Sequence, residues 1–249
     1  MSISVHILTF NEEDILPYTL RHYATFADKI IIHDGGSTDR TREIAQQYEV
    51  EIREWRTDGL NDKLAKELKE QAWRTDGTDW AIMVDADELI YFPMGAWNTL
   101  ASYDSAGIAM VRPQGFEMVS DVFPTTEGQI YDEVVTGCPE NDWYAKPVLF
   151  SANRISSVEF SAGAHEAWAT TKQGYRFHSK SLPILTPPTY FLHFHHLGPV
   201  ERIAERYARQ RARLSALNVA MKWGNFDPPM KHAMDKRQMI MAGVTTVIA

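Results

Sequence analysis

The chain has 249 residues, 44% hydrophobic and 23% charged, enough apolar material for one large domain or for one domain with an elaborated C-terminal part. Its 25 Lys and Arg against 33 Asp and Glu give a formal charge of −8, which excludes an extended nucleic-acid-binding surface but not a local basic patch. Cys138, the only cysteine, has no nucleophile context and excludes an intrachain disulfide, as suits a reducing compartment.

Met1-Ser-Ile-Ser-Val-His6 lacks the basic and apolar regions of a signal peptide. No apolar run approaches the roughly 20 residues that cross a bilayer. The expected location is therefore the cytoplasm, with no transmembrane segment.

Ser4–Phe10 reads as a buried strand and Glu13–Phe26 as a helix. Lys29–His33 is a second strand, followed by a helix that starts within Ser37–Thr41 and runs to about Tyr48. Glu49–Trp55 is a short third strand. In Leu60–Trp73, Leu60, Leu64 and Leu68 recur every four residues with charges between them, which predicts a helix. Trp80–Val84 and Gly107–Arg112 are further strands. This alternation implies right-handed crossovers and an α/β fold with a mostly parallel sheet covered on both faces.

From Pro113 the texture changes. Residues 113–146 are rich in Gly, Pro, acidic and aromatic residues without clear periodicity, as in a functional lid or binding loop. Phe116, Phe123, Tyr131, Trp143 and Tyr144 in that loop are candidates for stacking on sugar faces. Val148–Phe150, Ser157–Phe160 and Tyr190–His196 read as strands. Gly198-Pro199 opens a helix over Pro199–Ala220 that carries Arg202, Arg206, Arg209, Arg211 and Arg213. Most of these arginines belong to a solvated face, while one or two are candidates to meet a phosphate. The expected domain is 1–198, in halves 1–112 and 113–198, followed by a helical extension at 199–249.

The most informative stretch is Asp85-Ala86-Asp87-Glu88, delivered by the apolar strand before it to the carboxyl edge of the sheet, where ligands bind in open α/β folds. Two carboxylates placed together out of water are costly unless a cation sits between them. The simplest such cation is Mg²⁺ or Mn²⁺ holding a diphosphate. Asp34-Gly35-Gly36-Ser37-Thr38-Asp39 follows the second strand. Its glycines permit a sharp turn, and Ser37, Thr38 or Asp39 can cap the next helix. Thr9-Phe10-Asn11-Glu12 ends the first strand, so Thr9, Asp34 and Asp85 would line one crevice.

The order Leu8-Thr9-Phe10-Asn11-Glu12, Asp34-Gly-Gly-Ser-Thr-Asp-Arg-Thr41, Asp85-Ala-Asp87-Glu88 resembles family 2 glycosyltransferases of the GT-A fold. The resemblance implies a Rossmann-like three-layer sandwich, with 1–112 as the nucleotide-sugar-binding half and 113–198 as the acceptor-binding half. It also implies Thr9 and Asp34 on the uracil, Asp85 on the ribose side and Asp87 on the metal. The implied nucleotide-side set is Thr9, Asn11, Glu12, Asp34, Gly36, Asp62, Lys63, Asp85 and Ala86. Gly35 stands where the family often carries a second acidic residue.

The second half resembles a subgroup of the superfamily more loosely, through Lys146-Pro-Val-Leu-Phe150, Phe160-Ser-Ala-Gly-Ala-His165-Glu166 and Leu192-His193-Phe194-His195-His196. The resemblance implies a late histidine that completes the metal shell, His193 first and His195 second. Lying two apart on a strand, both face the same way. The activity implied is a metal-dependent inverting transfer, using Mn²⁺ or Mg²⁺, from a nucleotide sugar (UDP-sugar favoured) to a hydroxyl of a glycan or other acceptor. Such a transfer needs a general base. Glu166 is the candidate, with His165 as its substitute or its orienting partner, and Asp132, Glu133 and Asp142 are rivals.

A haloacid-dehalogenase-type phosphatase also places Asp-x-Asp after a strand, but Glu88-Leu89 follows Asp87 here and the motif comes late in the chain. A sugar nucleotidyltransferase would show a Gly-rich, basic loop after the first strand. A non-catalytic nucleotide-sugar or carbohydrate-binding module has no need of both Asp85 and Asp87.

Overall fold

The computed structural model describes residues 1–139, 145–224 and 226–248. In chain order its elements are β1 (Ile3–Thr9), α1 (Leu16–Tyr23), β2 (Lys29–Asp34), α2 (Thr41–Gln46), β3 (Glu51–Glu54), α3 (Asp62–Gln71), β4 (Trp80–Asp85), β5 (Glu88–Tyr91), α4 (Ala96–Ser105), β6 (Met110–Val111) and β7 (Gln114–Ser120). There follow β8 (Thr136–Cys138), β9 (Leu149–Ser151), β10 (Ile155–Phe160), β11 (Ala167–Thr171), β12 (Arg176–His178), β13 (Tyr190–Leu197), α5 (Val200–Ala212), α6 (Ala216–Met221), α7 (Pro229–Ala242) and β14 (Thr245–Thr246).

The central sheet has the order β3-β2-β1-β4-β9-β6. Strands β1 to β4 are mutually parallel, and β9 runs antiparallel to both its neighbours. Every residue of β1 is buried, as are the first five of β4. Strands covered on both faces carry such unbroken apolar runs instead of alternating ones. The register sets Thr9 beside Asp34 and Leu8 beside Asp85, so three strand ends share one edge.

A second sheet, β14-β8-β7-β13-β5, meets the first at Asp85-Ala86-Asp87-Glu88. Asp85 ends β4, and after two intervening residues the chain re-enters extended structure as β5, which pairs antiparallel with β13. Glu88 lies opposite His193, and Phe194 N–H donates to Asp87 O at 2.8 Å. This switch of sheets is what carries the histidine strand to the acidic turn. A third sheet, β10-β11-β12, packs its first strand against α3.

Several expectations need correction. The 113–146 stretch contains strands: β7 is parallel to β13, and β8 pairs with β7. Its pattern hid them because Glu117, in mid-strand, is fully buried against a histidine. The Pro199–Ala220 helix is two helices. Its break at Arg213-Leu214 is forced where Leu60 N–H donates to Arg213 O at 2.5 Å and Ser215 N–H to Leu60 O at 3.0 Å. That approach requires Gly59, at φ +113°, since a Cβ there would lie 2.2 Å from Arg213 O. Ser215 then caps α6 through Asn218 N–H. The Gly107–Arg112 strand shortens to Met110–Val111, β5, α4, β11 and β12 have no counterpart in the sequence reading, and the expected helical extension ends in a strand, β14, paired with β8.

Candidate active site

A cleft of about 550 Å³ opens at the carboxyl edge of β1 and β4, between α3, the 161–164 turn, β13 and α5. Thr9, Asn11, Glu12, Asp62, Asp85, Ala86, Asp87, His193 and His195 line it, and Phe10 and Trp55 supply its aromatic surface.

Asp87 is its most heavily contacted carboxylate. Its Oδ2 lies 2.8 Å from Arg206 Nη2, 3.1 Å from His195 Nδ1 and 3.5 Å from His193 Nε2. Burial opposes its charge, yet Arg206 and His193 hold the carboxyl well below the usual range. His193 Nδ1–H donates to Glu117 Oε2 at 2.7 Å. Burial alone would lower His193, but Glu117 and Asp87 raise it to about 10. Burial and the charge of Arg206 push His195 down to about 4.

Ligand atoms of Asp87, His193 and His195 lie within 4.8 Å of one another. Two further observations fit this set to a metal. His195 Nε2 is buried without a partner, and buried polar atoms are otherwise nearly always satisfied. Glu117 fixes the ring of His193 from its far side, the outer-shell arrangement typical of metal-binding histidines. One carboxylate oxygen with two imidazole nitrogens suits Mn²⁺, and Mg²⁺ less well.

Around this centre, charges are paired in layers. Lys69 Nζ lies 2.8 Å from Asp85 Oδ1. Lys146 meets Glu88, both side chains almost completely buried, and Glu88 Oε2 accepts the Asp85 N–H at 2.8 Å. Burial raises Glu12 to about 7 against the pull of Arg206, whose Nη2 lies 3.2 Å from it. Asp62 accepts from Asn218 Nδ2 at 3.0 Å and burial raises its carboxyl. Arg206 and Arg209 on α5 and Arg213 just past its end face the cleft, whereas Arg202 pairs with Asp14 and Arg211 donates to Asp227 O.

Other expected residues lie elsewhere. Asp34 is fully buried and off the wall, because its carboxylate accepts from Ser37 N–H at 3.1 Å and from Arg42 Nη1 at 3.0 Å. Gly36, at φ +89°, makes the turn behind it. Lys63 points outward to Glu67. Glu166 is off the wall as well, drawn 2.5 Å from Lys180 Nζ and 3.3 Å from His178 Nε2. Its neighbour His165 is closer: a Cβ on Gly163, which lines the cleft, would come within 2.7 Å of His165 Nε2.

Asp132 accepts from Gln129 N–H and Glu133 from Thr125 N–H, and both serve to fold their own loop. Phe116 packs on Tyr190, Phe123 under Arg202 and Tyr131 on Tyr91, so these aromatics pin the loop down and do not line the cleft. Asp142, Trp143 and Tyr144 lie outside the described residues. The sequence reading missed the roles of Lys69, Glu88, Glu117 and Lys146. Only Glu117 carried a local signal, a carboxylate inside an apolar run.

Residues 4–96 match the family described as Glycosyl transferase family 2. That stretch runs from β1 to the start of α4 and holds Thr9, Asp34, Asp85 and Asp87. Among solved structures, the chain is similar to glucosyl-3-phosphoglycerate synthase from Mycobacterium tuberculosis in complex with Mn²⁺, uridine diphosphate and glucosyl-3-phosphoglycerate, at 15% identity and a TM-score of 0.33 over 47% of this chain and 44% of that one. It is also similar to mannosyl-3-phosphoglycerate synthase from Rubrobacter xylanophilus, at 16% identity and a TM-score of 0.36 over 46% and 40%. The chain thus spans less than half the length of either. No curated protein matches it.

Proposed function

We propose that the chain is a metal-dependent, inverting glycosyltransferase that moves a sugar from a nucleoside-diphosphate donor, UDP-linked, to an acceptor hydroxyl. The observation that carries this reading is the grouping of Asp87, His193 and His195 inside a cleft at the carboxyl edge of a parallel sheet. These three residues would hold Mn²⁺ or Mg²⁺, which supplies Lewis-acid stabilisation of the leaving diphosphate. Residues 1–198 form the catalytic domain in this reading, and 199–249 form an extension that lends its Arg206 to the site.

Thr9, Phe10 and Trp55 form the nucleoside end of the cleft, and Lys69 fixes Asp85 for the ribose. Arg206, Arg209 and Arg213 offset charge on the diphosphate. His165, beside the cleft wall, takes the proton from the acceptor hydroxyl as that oxygen attacks. Glu166, bound by Lys180 and His178, keeps a structural role. The buried thiol of Cys138 suits the reducing cytoplasm. Among the described residues, no helix is long and apolar enough to cross a membrane.

A thermal-shift screen of UDP-, GDP-, CMP- and dTDP-sugars, with and without Mn²⁺, tests the donor assignment. Ligands that bind only the native state raise its melting temperature. UDP-sugars with Mn²⁺ should give the largest shift, and a larger shift with another nucleotide replaces the donor.

A further inference from the structure

Resting on that reading, we propose that Arg206 is the resident counter-ion of the metal site. It holds Asp87 until a divalent ion arrives and then turns to the diphosphate, so that metal and nucleotide bind together and free metal binds poorly.

The geometry is specific. One nitrogen, Arg206 Nη2, contacts Asp87 Oδ2 at 2.8 Å and Glu12 Oε1 at 3.2 Å. It is therefore placed as a bridging cation would be, between two carboxylates. The Asp87 oxygen it holds is the same one that faces His193 and His195. A divalent ion must approach its ligand oxygen to about 2.0–2.2 Å, which a guanidinium on that oxygen obstructs sterically and repels electrostatically.

Arginine cannot vacate the site by losing its proton, as lysine or histidine can. It has to move. Its side chain is only 11% exposed, so a passage into solvent would leave the cleft's carboxylates without their partner. The diphosphate supplies an alternative acceptor inside the cleft, with oxygens matched to the guanidinium fork. Glu12 can retain contact during the move, because it already shares the same nitrogen. Metal and diphosphate then help one another by an equal factor, as linkage requires.

The test is an electron paramagnetic resonance titration of Mn²⁺ into the intact protein, as wild type, Arg206→Met and Arg206→Lys. Each is measured with and without UDP, with chelation by UDP alone subtracted from a protein-free control. Arg206→Met should bind Mn²⁺ alone on the order of tenfold tighter than wild type, and UDP should enhance that binding less. Arg206→Lys, which keeps the charge but can shed its proton to an incoming metal, should fall between wild type and Arg206→Met.

If Arg206→Met binds Mn²⁺ alone no tighter than wild type, while UDP promotes Mn²⁺ binding in both, the counter-ion role is wrong and the glycosyltransferase reading survives. Absence of Mn²⁺ binding in every protein, with or without UDP, overturns both. If Arg206→Met does not fold, NMR of the wild-type Arg206 side chain decides: its Nε signal should move when Mg²⁺ and UDP are added together, and an unmoved signal with both bound refutes the proposal.

Discussion

Glu117 Oε2 accepts a hydrogen bond from His193 Nδ1 at 2.7 Å, from a position with no exposure to solvent. The bond fixes the imidazole so that Nε2 faces Asp87. Outer-shell carboxylates of this kind change metal affinity by about 10- to 100-fold. Glu117→Gln, which preserves shape but not charge, should weaken Mn²⁺ binding in the presence of UDP within that range. Calorimetry checks it, and an unchanged affinity would show that the pair serves only packing.

His165 and Glu166 make opposite predictions. Glu166→Gln should leave turnover close to wild type, since its partners Lys180 and His178 lie away from the cleft wall. His165→Ala should lower turnover by about 10²- to 10⁴-fold, with UDP affinity intact. Steady-state kinetics with separate UDP binding distinguishes the two residues.

Lys146 and Glu88 form a buried ion pair beneath the acidic turn. Removing one partner of such a pair leaves an uncompensated buried charge, at a cost of about 3–5 kcal/mol. Lys146→Met should lower stability by that order in urea unfolding. The double variant Lys146→Met with Glu88→Gln should recover much of the loss, and additive losses would exclude the pairing account.

Burial pushes His22 down to about 4 and His33 to about 3, against an ordinary value of 6.5. At these two groups the unfolded chain therefore binds more protons than the native protein between roughly pH 3 and 6.5. Stability from these groups is complete above about pH 6.5 and declines as pH falls towards their folded values. Glu12, raised to about 7, acts in the opposite direction between its ordinary 4.5 and 7. The metal-free melting temperature should fall on acidification below pH 6, and Glu12→Gln should steepen that fall. A flat profile from pH 6 to 4.5 in both proteins would contradict the assignment.

The parallel sheet and its acidic edge were legible because buried strands such as β1 and β4 are continuous apolar runs that end in polar turns. That His193 and His195 share a face was legible in their spacing of two along β13, whereas their meeting with Asp87 was implied only by the family resemblance. What stayed hidden was set by partners distant in sequence. Asp34 sits at a strand end like a ligand-facing residue, but Arg42 and the Ser37 N–H hold its carboxylate. Glu117 could not be assigned while its strand read as loop. The helix break at Arg213 depends on Gly59, more than 150 residues away in sequence, so no local pattern announces it.

The central claim is that Asp87 and the two histidines hold a metal that in turn holds the nucleotide. Calorimetric titration of UDP into the wild type and Asp87→Ala, with Mn²⁺ and again with EDTA, tests it most directly. The account predicts strong wild-type binding only with Mn²⁺, and none above background in Asp87→Ala under either condition. Equal UDP binding by Asp87→Ala, or wild-type binding indifferent to EDTA, would contradict it.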